Sequence, residues 1–305
     1  MTMAVFSAPG KIYLFGEHAV VYGKTAIACA VDLRTRASVE RSEEVVIRSA
    51  IGTTGIDHAV HPYVSKCIEK IRSHAEIGGV EICIESDIPV SAGLGSSAAV
   101  TVAVLSALNE EFSAGLGKEQ IAALGHEIER EVQGVASPTD TFVSTMGGIV
   151  VIPGKKRLRA LGCHIVIGNT NSGITEKKTA KLVAGVRELR DKSPGEVMPV
   201  IDAIGRIAEA GESLVELRDY ISIGRLMNVN HGLLDALGVG TARLDALVYA
   251  ARYAGAFGAK ITGAGGGGCM FALTDDPEKV AAAIEAAGGT AIVTQVTEDG
   301  VRKEC

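Results

Sequence analysis

The sequence predicts an α+β protein of two domains, on three observations. Its 305 residues exceed one average domain of roughly 100–200 residues. Its first part is rich in short β-favouring runs, and its second half in longer helical ones. Between them, at residues 153–162, the composition turns basic and irregular, which sets the division at residues 1–160 and 161–305.

Ala4 to Ser7, Lys11 to Phe15, Thr25 to Glu40 and Val45 to Ile47 read as strands, separated by Gly, Pro or charge. A helix follows from Pro62 to about Ser73, then a strand at Glu81 to Glu85, where apolar and charged residues alternate. Asp87-Ile88-Pro89 is a turn. From Ser97 to Leu108 the residues are apolar or small on every side, and a helix without a polar face must lie buried among other elements. Lys118 to Gln133 is amphipathic instead: Ile121, Leu124, Gly125, Ile128 and Val132 recur at three- and four-residue steps until Gly134 stops the pattern. Gly147-Gly148 leads into a strand at Ile149 to Ile152. Helices are expected at Thr175 to Asp191, Val197 to Gly211, Leu217 to Leu237, Thr241 to Gly255 and Pro277 to Ala287, with strands at Ala259 to Thr262, Cys269 to Leu273 and Ala291 to Val296.

Composition narrows the function. A formal charge of -6 without a stripe of Lys or Arg argues against nucleic acid as a partner, and the cluster Lys155 to Arg159 reads as a solvated turn. Six cysteines show neither a C-x-x-C pair nor zinc spacing, so buried thiols in a reducing compartment are expected. The start has no basic segment leading into a long apolar run, and polar residues interrupt every apolar stretch before a membrane span is reached. A cytoplasmic enzyme, with no membrane partner, is the expectation.

The most specific chemical signal is Pro89-Val90-Ser91-Ala92-Gly93-Leu94-Gly95-Ser96-Ser97-Ala98-Ala99, a glycine-serine loop that runs straight into the buried helix. Glycines let the backbone approach a ligand, and the first turn of a helix offers N–H donors at the positive end of its dipole, so the loop is a candidate anion site. The hydroxyls of Ser96 and Ser97 can bind a phosphate oxygen or Mg²⁺, or simply cap the helix. No Lys follows Gly95 as in a Walker A loop, so a cation for a transferred phosphate must come from elsewhere. A second cluster, Gly263-Ala264-Gly265-Gly266-Gly267-Gly268, has more glycine than a bare turn needs; close approach to a ligand accounts for it, with a flexible hairpin as the alternative.

These two loops, together with Ala8-Pro9-Gly10-Lys11-Ile12-Tyr13-Leu14-Phe15-Gly16-Glu17-His18-Ala19-Val20-Val21-Tyr22-Gly23, resemble in order and spacing the three signature motifs of the GHMP kinase superfamily. The first of them has the form typical of its mevalonate kinases, and the chain's short length is similar to that of the archaeal ones. The resemblance implies an N-terminal domain similar to ribosomal protein S5 domain 2, a C-terminal ferredoxin-like domain and an active site between them. It also implies ATP-dependent phosphorylation of the 5-hydroxyl of mevalonate on the way to isoprenoids, with ATP as co-substrate, Mg²⁺ as cofactor and a homodimer as the common assembly.

Site residues carry over the same way. Gln133-Gly134-Val135-Ala136-Ser137-Pro138-Thr139-Asp140 resembles the segment ending in the family's catalytic aspartate, although the gap after Pro138 is shorter than usual. Asp140 is therefore the implied base, and Lys11 the cation that stabilises the developing alkoxide; a helix cap and a strand-edge charge are their bland alternatives. Glu129, eleven positions before Asp140 and at the margin of the apolar stripe, is implied as the Mg²⁺ ligand beside Ser97, whereas Glu127 and Glu131 read as solvent-facing charges. Glu17, His18, Thr262 and Ala264 are implied around the substrate. A phosphomevalonate, mevalonate 3- or sugar kinase, or a noncatalytic metabolite sensor on the same scaffold, are the rival readings.

Overall fold

Two sheets organise residues 3–89, 92–134, 136–171 and 176–304, the part of the chain that this computed structural model describes. Val90, Ser91, Val135 and Thr175, all used in the sequence reading, lie outside the described residues. The first sheet is built from β1 (Ala4–Phe15), β2 (Ala26–Ser42), β3 (Val45–Ser49), β4 (Gly52–Thr54), β5 (Gly79–Ser86), β6 (Ile149–Ile152), β7 (Lys156–Leu158) and, from the far end of the chain, β12 (Arg302–Lys303). Its spine is β2. It pairs antiparallel with β1 along one edge and with β6 and then β5 along the other.

Helix α2 (Ser96–Glu111) lies on β1 and β2 and is enclosed by α1 (Pro62–Ile71), α3 (Lys118–Gln133) and α4 (Pro138–Met146). Its apolar surface on every side thus has a partner on every side, and Val102, Val104, Leu105 and Leu108 are fully buried. Each such side chain is worth about 1.5–3 kcal/mol against exposure.

The second sheet contains β8 (His164–Asn169), β9 (Gly258–Ile261), β10 (Cys269–Thr274) and β11 (Thr290–Thr294), antiparallel throughout in the order β11-β8-β10-β9. Helices α5 (Glu176–Lys192), α6 (Pro194–Leu217), α7 (Tyr220–Ala236) and α8 (Ala242–Tyr253) connect β8 to β9, and α9 (Pro277–Ala286) connects β10 to β11. This is the split βαβ pattern of ferredoxin-like domains. After β11 the chain returns to the first sheet: Val296 bridges Val31, and β12 pairs with β1.

Several elements differ from the sequence reading for identifiable reasons. The two strands expected on either side of Pro9 are one strand, because the register shifts between Pro9 and Gly10 and so accommodates the missing N–H. Strand β8 was not anticipated, since the three-residue apolar run Ile165 to Ile167 carries no period of its own. The expected helix from Leu217 is broken: Arg218 turns left-handed at φ +54°, and the Asp219 side chain accepts from Ser222 N–H at 3.1 Å to start α7. Part of the basic cluster is β7, its exposed Lys156 and Arg157 paired with Glu212 and Glu298. Cys29, Cys67, Cys163 and Cys269 are buried free thiols, and Cys83 is half-buried. No helix among the described residues is long and apolar enough to cross a membrane.

Candidate active site

The site grows from β1. Alternation along a strand puts Lys11 and Tyr13 on one face, and Lys11 N–H donates to Leu94 O at 2.8 Å, fastening the glycine-serine loop to the strand. The Lys11 side chain then passes Gly95 so closely that a Cβ there would stand 2.9 Å from its Cγ. Gly95 also has φ +73°, a conformation that only glycine adopts without cost. A cation is thereby placed beside the glycine-serine loop by a strand 84 residues earlier in the chain.

Gly95 precedes the first turn of α2, whose opening hydrogen bond is Ala99 N–H to Gly95 O at 3.0 Å. The N–H groups of Ser96, Ser97 and Ala98 precede that bond and point along the positive end of the helix dipole. Ala92, Leu94, Ala98 and Ala99 are buried and anchor the loop, while Pro89, Gly93, Gly95, Ser96 and Ser97 are partly accessible. Ser97 Oγ donates to Glu129 Oε1 at 3.0 Å. That contact follows from Gly125, one turn earlier in α3, where a Cβ would stand 3.2 Å from Thr141 Cγ2 and 3.6 Å from Thr101 Cγ2. The glycine lets α3 close on α2 and α4, and four residues on the same face turns inward as Glu129, 3% exposed. Glu127 and Glu131 face outward and pair with Lys70 at 2.8 and 2.6 Å.

Asp140 sits in the first turn of α4, which starts with Ser137 as cap and Pro138 at its first position. Its Oδ2 lies 3.1 Å from Lys11 Nζ, and the two side chains are 27% and 4% exposed. Tyr13 OH reaches Asp140 Oδ1 at 3.5 Å, and the Lys11 ammonium lies 4.4 Å from the centroid of the Tyr13 ring. Burial, reinforced by the Asp140 charge, pushes the Tyr13 phenol well above its usual range, so it stays a neutral donor.

The third glycine loop closes the other side. Gly93 and Gly263 (φ +79° and +74°) abut: a Cβ on Gly263 would stand 3.0 Å from Gly93 O, and one on Gly93 3.4 Å from Thr262 O. Thr262 Oγ1 accepts from Tyr13 N–H at 2.9 Å. His18 is held at φ +60° and ψ -37°, an uncommon conformation for a side-chain-bearing residue, with its Nε2–H donating to Ala264 O at 3.0 Å. Burial holds its pKa below the ordinary histidine range. Glu17 forms a buried ion pair with Lys260, which also donates to Ile261 O at 2.8 Å. Burial raises the Glu17 carboxyl and lowers the Lys260 ammonium, while each charge sustains the other. Glu17 Oε2 is buried without a hydrogen-bond partner, a state suited to accepting from a hydroxyl.

Contacts therefore link Lys11, Glu17, His18, Gly93, Gly95, Ser97, Glu129, Asp140, Thr262 and Ala264, all anticipated from sequence, where β1 meets the two glycine loops. Lys260 and Tyr13 were not anticipated. A signal existed for each: a lysine inside the short buried strand β9, and an aromatic hydroxyl two positions beyond Lys11 on the same strand face.

Residues 62–148 match the family described as GHMP kinases N terminal domain, and residues 212–291 the GHMP kinases C terminal family. The mevalonate kinase of Thermococcus onnurineus is 43% identical, over 98% of this chain and 97% of that protein. The mevalonate kinase of Archaeoglobus fulgidus is also 43% identical, over 88% and 92%. The chain belongs to the mevalonate kinase family. Its fold is the two-domain GHMP kinase fold: the crystal structure of Methanococcus jannaschii mevalonate kinase superposes with a TM-score of 0.83, at 29% identity and over 97% of this chain and 99% of that one. The L. major mevalonate kinase, crystallised in complex with R-mevalonate, shares the fold with a TM-score of 0.83 at 24% identity, over 97% and 96%. This member of the mevalonate kinase family is thus an ATP-dependent kinase.

Proposed function

We propose that the chain phosphorylates the 5-hydroxyl of (R)-mevalonate with ATP, releasing 5-phosphomevalonate and ADP. The observation that carries this reading is the Lys11–Asp140 pair, 3.1 Å apart, beside the N-terminus of α2 and within a family of mevalonate kinases. In this reading the amides from Gly93 to Ala98 bind the triphosphate of ATP. The alcohol oxygen forms its bond to the γ-phosphorus as the bond from that phosphorus to the bridging oxygen breaks. Its proton passes to Asp140, and Lys11 offsets the charge growing on the oxygen.

Ser97 and Glu129 are hard oxygen donors 3.0 Å apart, a set that suits Mg²⁺ with phosphate oxygens and water completing its shell. When bound, the ion offsets phosphate charge. In this reading the carboxylate end of mevalonate lies towards His18, Thr262 and Ala264, and Glu17 Oε2, buried without a hydrogen-bond partner, accepts from a substrate hydroxyl. Purified protein tested for ADP release with mevalonate, phosphomevalonate, homoserine and galactose decides the substrate. Mevalonate alone should support turnover; a preference for any of the other three overturns the assignment.

A further inference from the structure

The Gly147-Gly148 pair after α4 has no place in the phosphate chemistry, yet it is among the most crowded backbone in the protein. A Cβ on Gly147 would stand 2.4 Å from both Glu298 O and Gly300 N, and one on Gly300 would stand 2.1 Å from Thr145 O. The object pressed against these glycines is the segment 295–304, which leaves the second sheet after β11 and runs back over the first.

Main-chain hydrogen bonds tie it down along its length, beside the side-chain pairs Arg157–Glu298, Lys303–Glu110 and Ser7–Glu304. Asp32 N–H donates to Gln295 O at 3.0 Å, Thr297 N–H to Ala30 O at 3.1 Å, Gly148 N–H to Thr297 O at 2.8 Å and Glu304 N–H to Val5 O at 2.8 Å. Val301 N–H donates to Thr145 O at 3.1 Å, satisfying one of the carbonyls that the end of a helix leaves without an internal partner. One buried side chain locks the segment from beneath. Arg34, 5% exposed, donates to Gly300 O at 2.6 Å and Asp299 O at 3.3 Å, and also to Ser7 O and Oγ at 3.1 and 2.7 Å.

We propose that this C-terminal strap, latched by Arg34, is a positioning element for Asp140. The helix it caps, α4, has nine residues, and Asp140 is the third of them. A helix this short moves as a rigid rod, so a shift at Thr145 carries to the carboxylate that faces Lys11. Misplacing a reacting group by about 1 Å costs on the order of 100-fold in rate, whereas the strap's hydrogen bond to α2, Lys303 Nζ to Glu110 Oε1 at 2.5 Å, is made at the exposed far end of that helix, away from the amides of Ser96 to Ala98. The role rests on Asp140 being the base, and it predicts a loss confined to turnover.

The test compares Gly300→Ala, which wedges a methyl between strap and α4, and Arg34→Met, which removes the latch from the opposite side, with Lys303→Ala at the exposed end of the strap. Expected in the first two is a fall in kcat of about 10- to 100-fold, with the KM for ATP within about twofold. Amide hydrogen exchange should rise in residues 138–148 and not in 96–108, and Lys303→Ala should behave as the parent. The proposal is overturned if exchange shows the strap released from its seat while kcat stays within about twofold of the parent, or if kcat falls only together with uniform exchange across α2. Asp140→Asn, measured alongside, separates the two ideas. If it keeps turnover the base assignment fails, and if it loses turnover while the strap variants do not, only the strap's role fails.

Discussion

Glu17 and Lys260 pair across the two sheets with side chains that are 1% and 0% exposed, joining the turn after β1 to the middle of β9. Removing one member strands the other charge in the interior, so Lys260→Met should destabilise the protein by about 3–5 kcal/mol. Adding Glu17→Gln to that variant should restore part of the loss. Urea unfolding of both measures it, and a single variant that unfolds at the parent's midpoint contradicts the pairing.

In the proposed mechanism, Asp140→Asn and Lys11→Met each remove one half of the exchange at the alcohol oxygen. Turnover should fall by about 10²- to 10⁴-fold in each, while a fluorescent ATP analogue still binds within a few-fold of the parent. Near-normal turnover in both would refute the proton path.

Ser97→Ala and Glu129→Gln bear on the metal. Each should raise the Mg²⁺ concentration that gives half-maximal activity, by about tenfold for loss of one oxygen ligand. Superimposable Mg²⁺ titrations would remove these two residues from the metal's surroundings.

Gly95→Ala puts a methyl against the Lys11 stem at a left-handed backbone position, so both kcat and the KM for ATP should worsen. Gly115→Ala is the fitting comparison: its φ is also positive, at +74°, but a Cβ there meets open space. It should lose a little stability and no activity. Equal effects at the two positions would mean that backbone strain alone, and not the passage of Lys11, makes Gly95 special.

His18 supplies the pH dependence. Its pKa is lowered in the folded protein by burial, so the unfolded chain takes up the proton first as pH falls. The stability it contributes is complete above the ordinary value of 6.5 and is lost as pH drops through that value toward the folded one. His18→Asn keeps a donor for Ala264 O and tolerates a positive φ, but does not titrate. Thermal midpoints of the parent should therefore fall more steeply on acidification than those of the variant, and parallel curves would exclude His18 as the cause.

How much of this was legible in the sequence depends on the distance over which each feature is decided. The burial of α2 follows from its own composition, and the inward turn of Glu129 follows from Gly125 four residues before it. Both are local. The glycine turns announced a ligand through residue type alone. Lys260 gave only the oddity of a charge in a strand, because its meaning depends on Glu17, 243 residues away. The break between α6 and α7 was hidden for a similar reason: Arg218 turns left-handed where its guanidinium reaches Ala160 O at 3.0 Å, a contact no local pattern reports. Family resemblance reached what spacing could not, since it had recorded which distant segments meet.

The contact between Gly93 and Gly263 also bears on how the enzyme comes into being. A ribosome delivers the glycine-serine turn early, but the loop that abuts it arrives about 170 residues later, and at ordinary elongation rates of roughly 5–20 residues per second the nascent protein spends many seconds with only one of the two loops. Such a chain can form strands β1 to β7 of its first sheet during synthesis, yet β12 and the second glycine loop join only when translation is nearly complete.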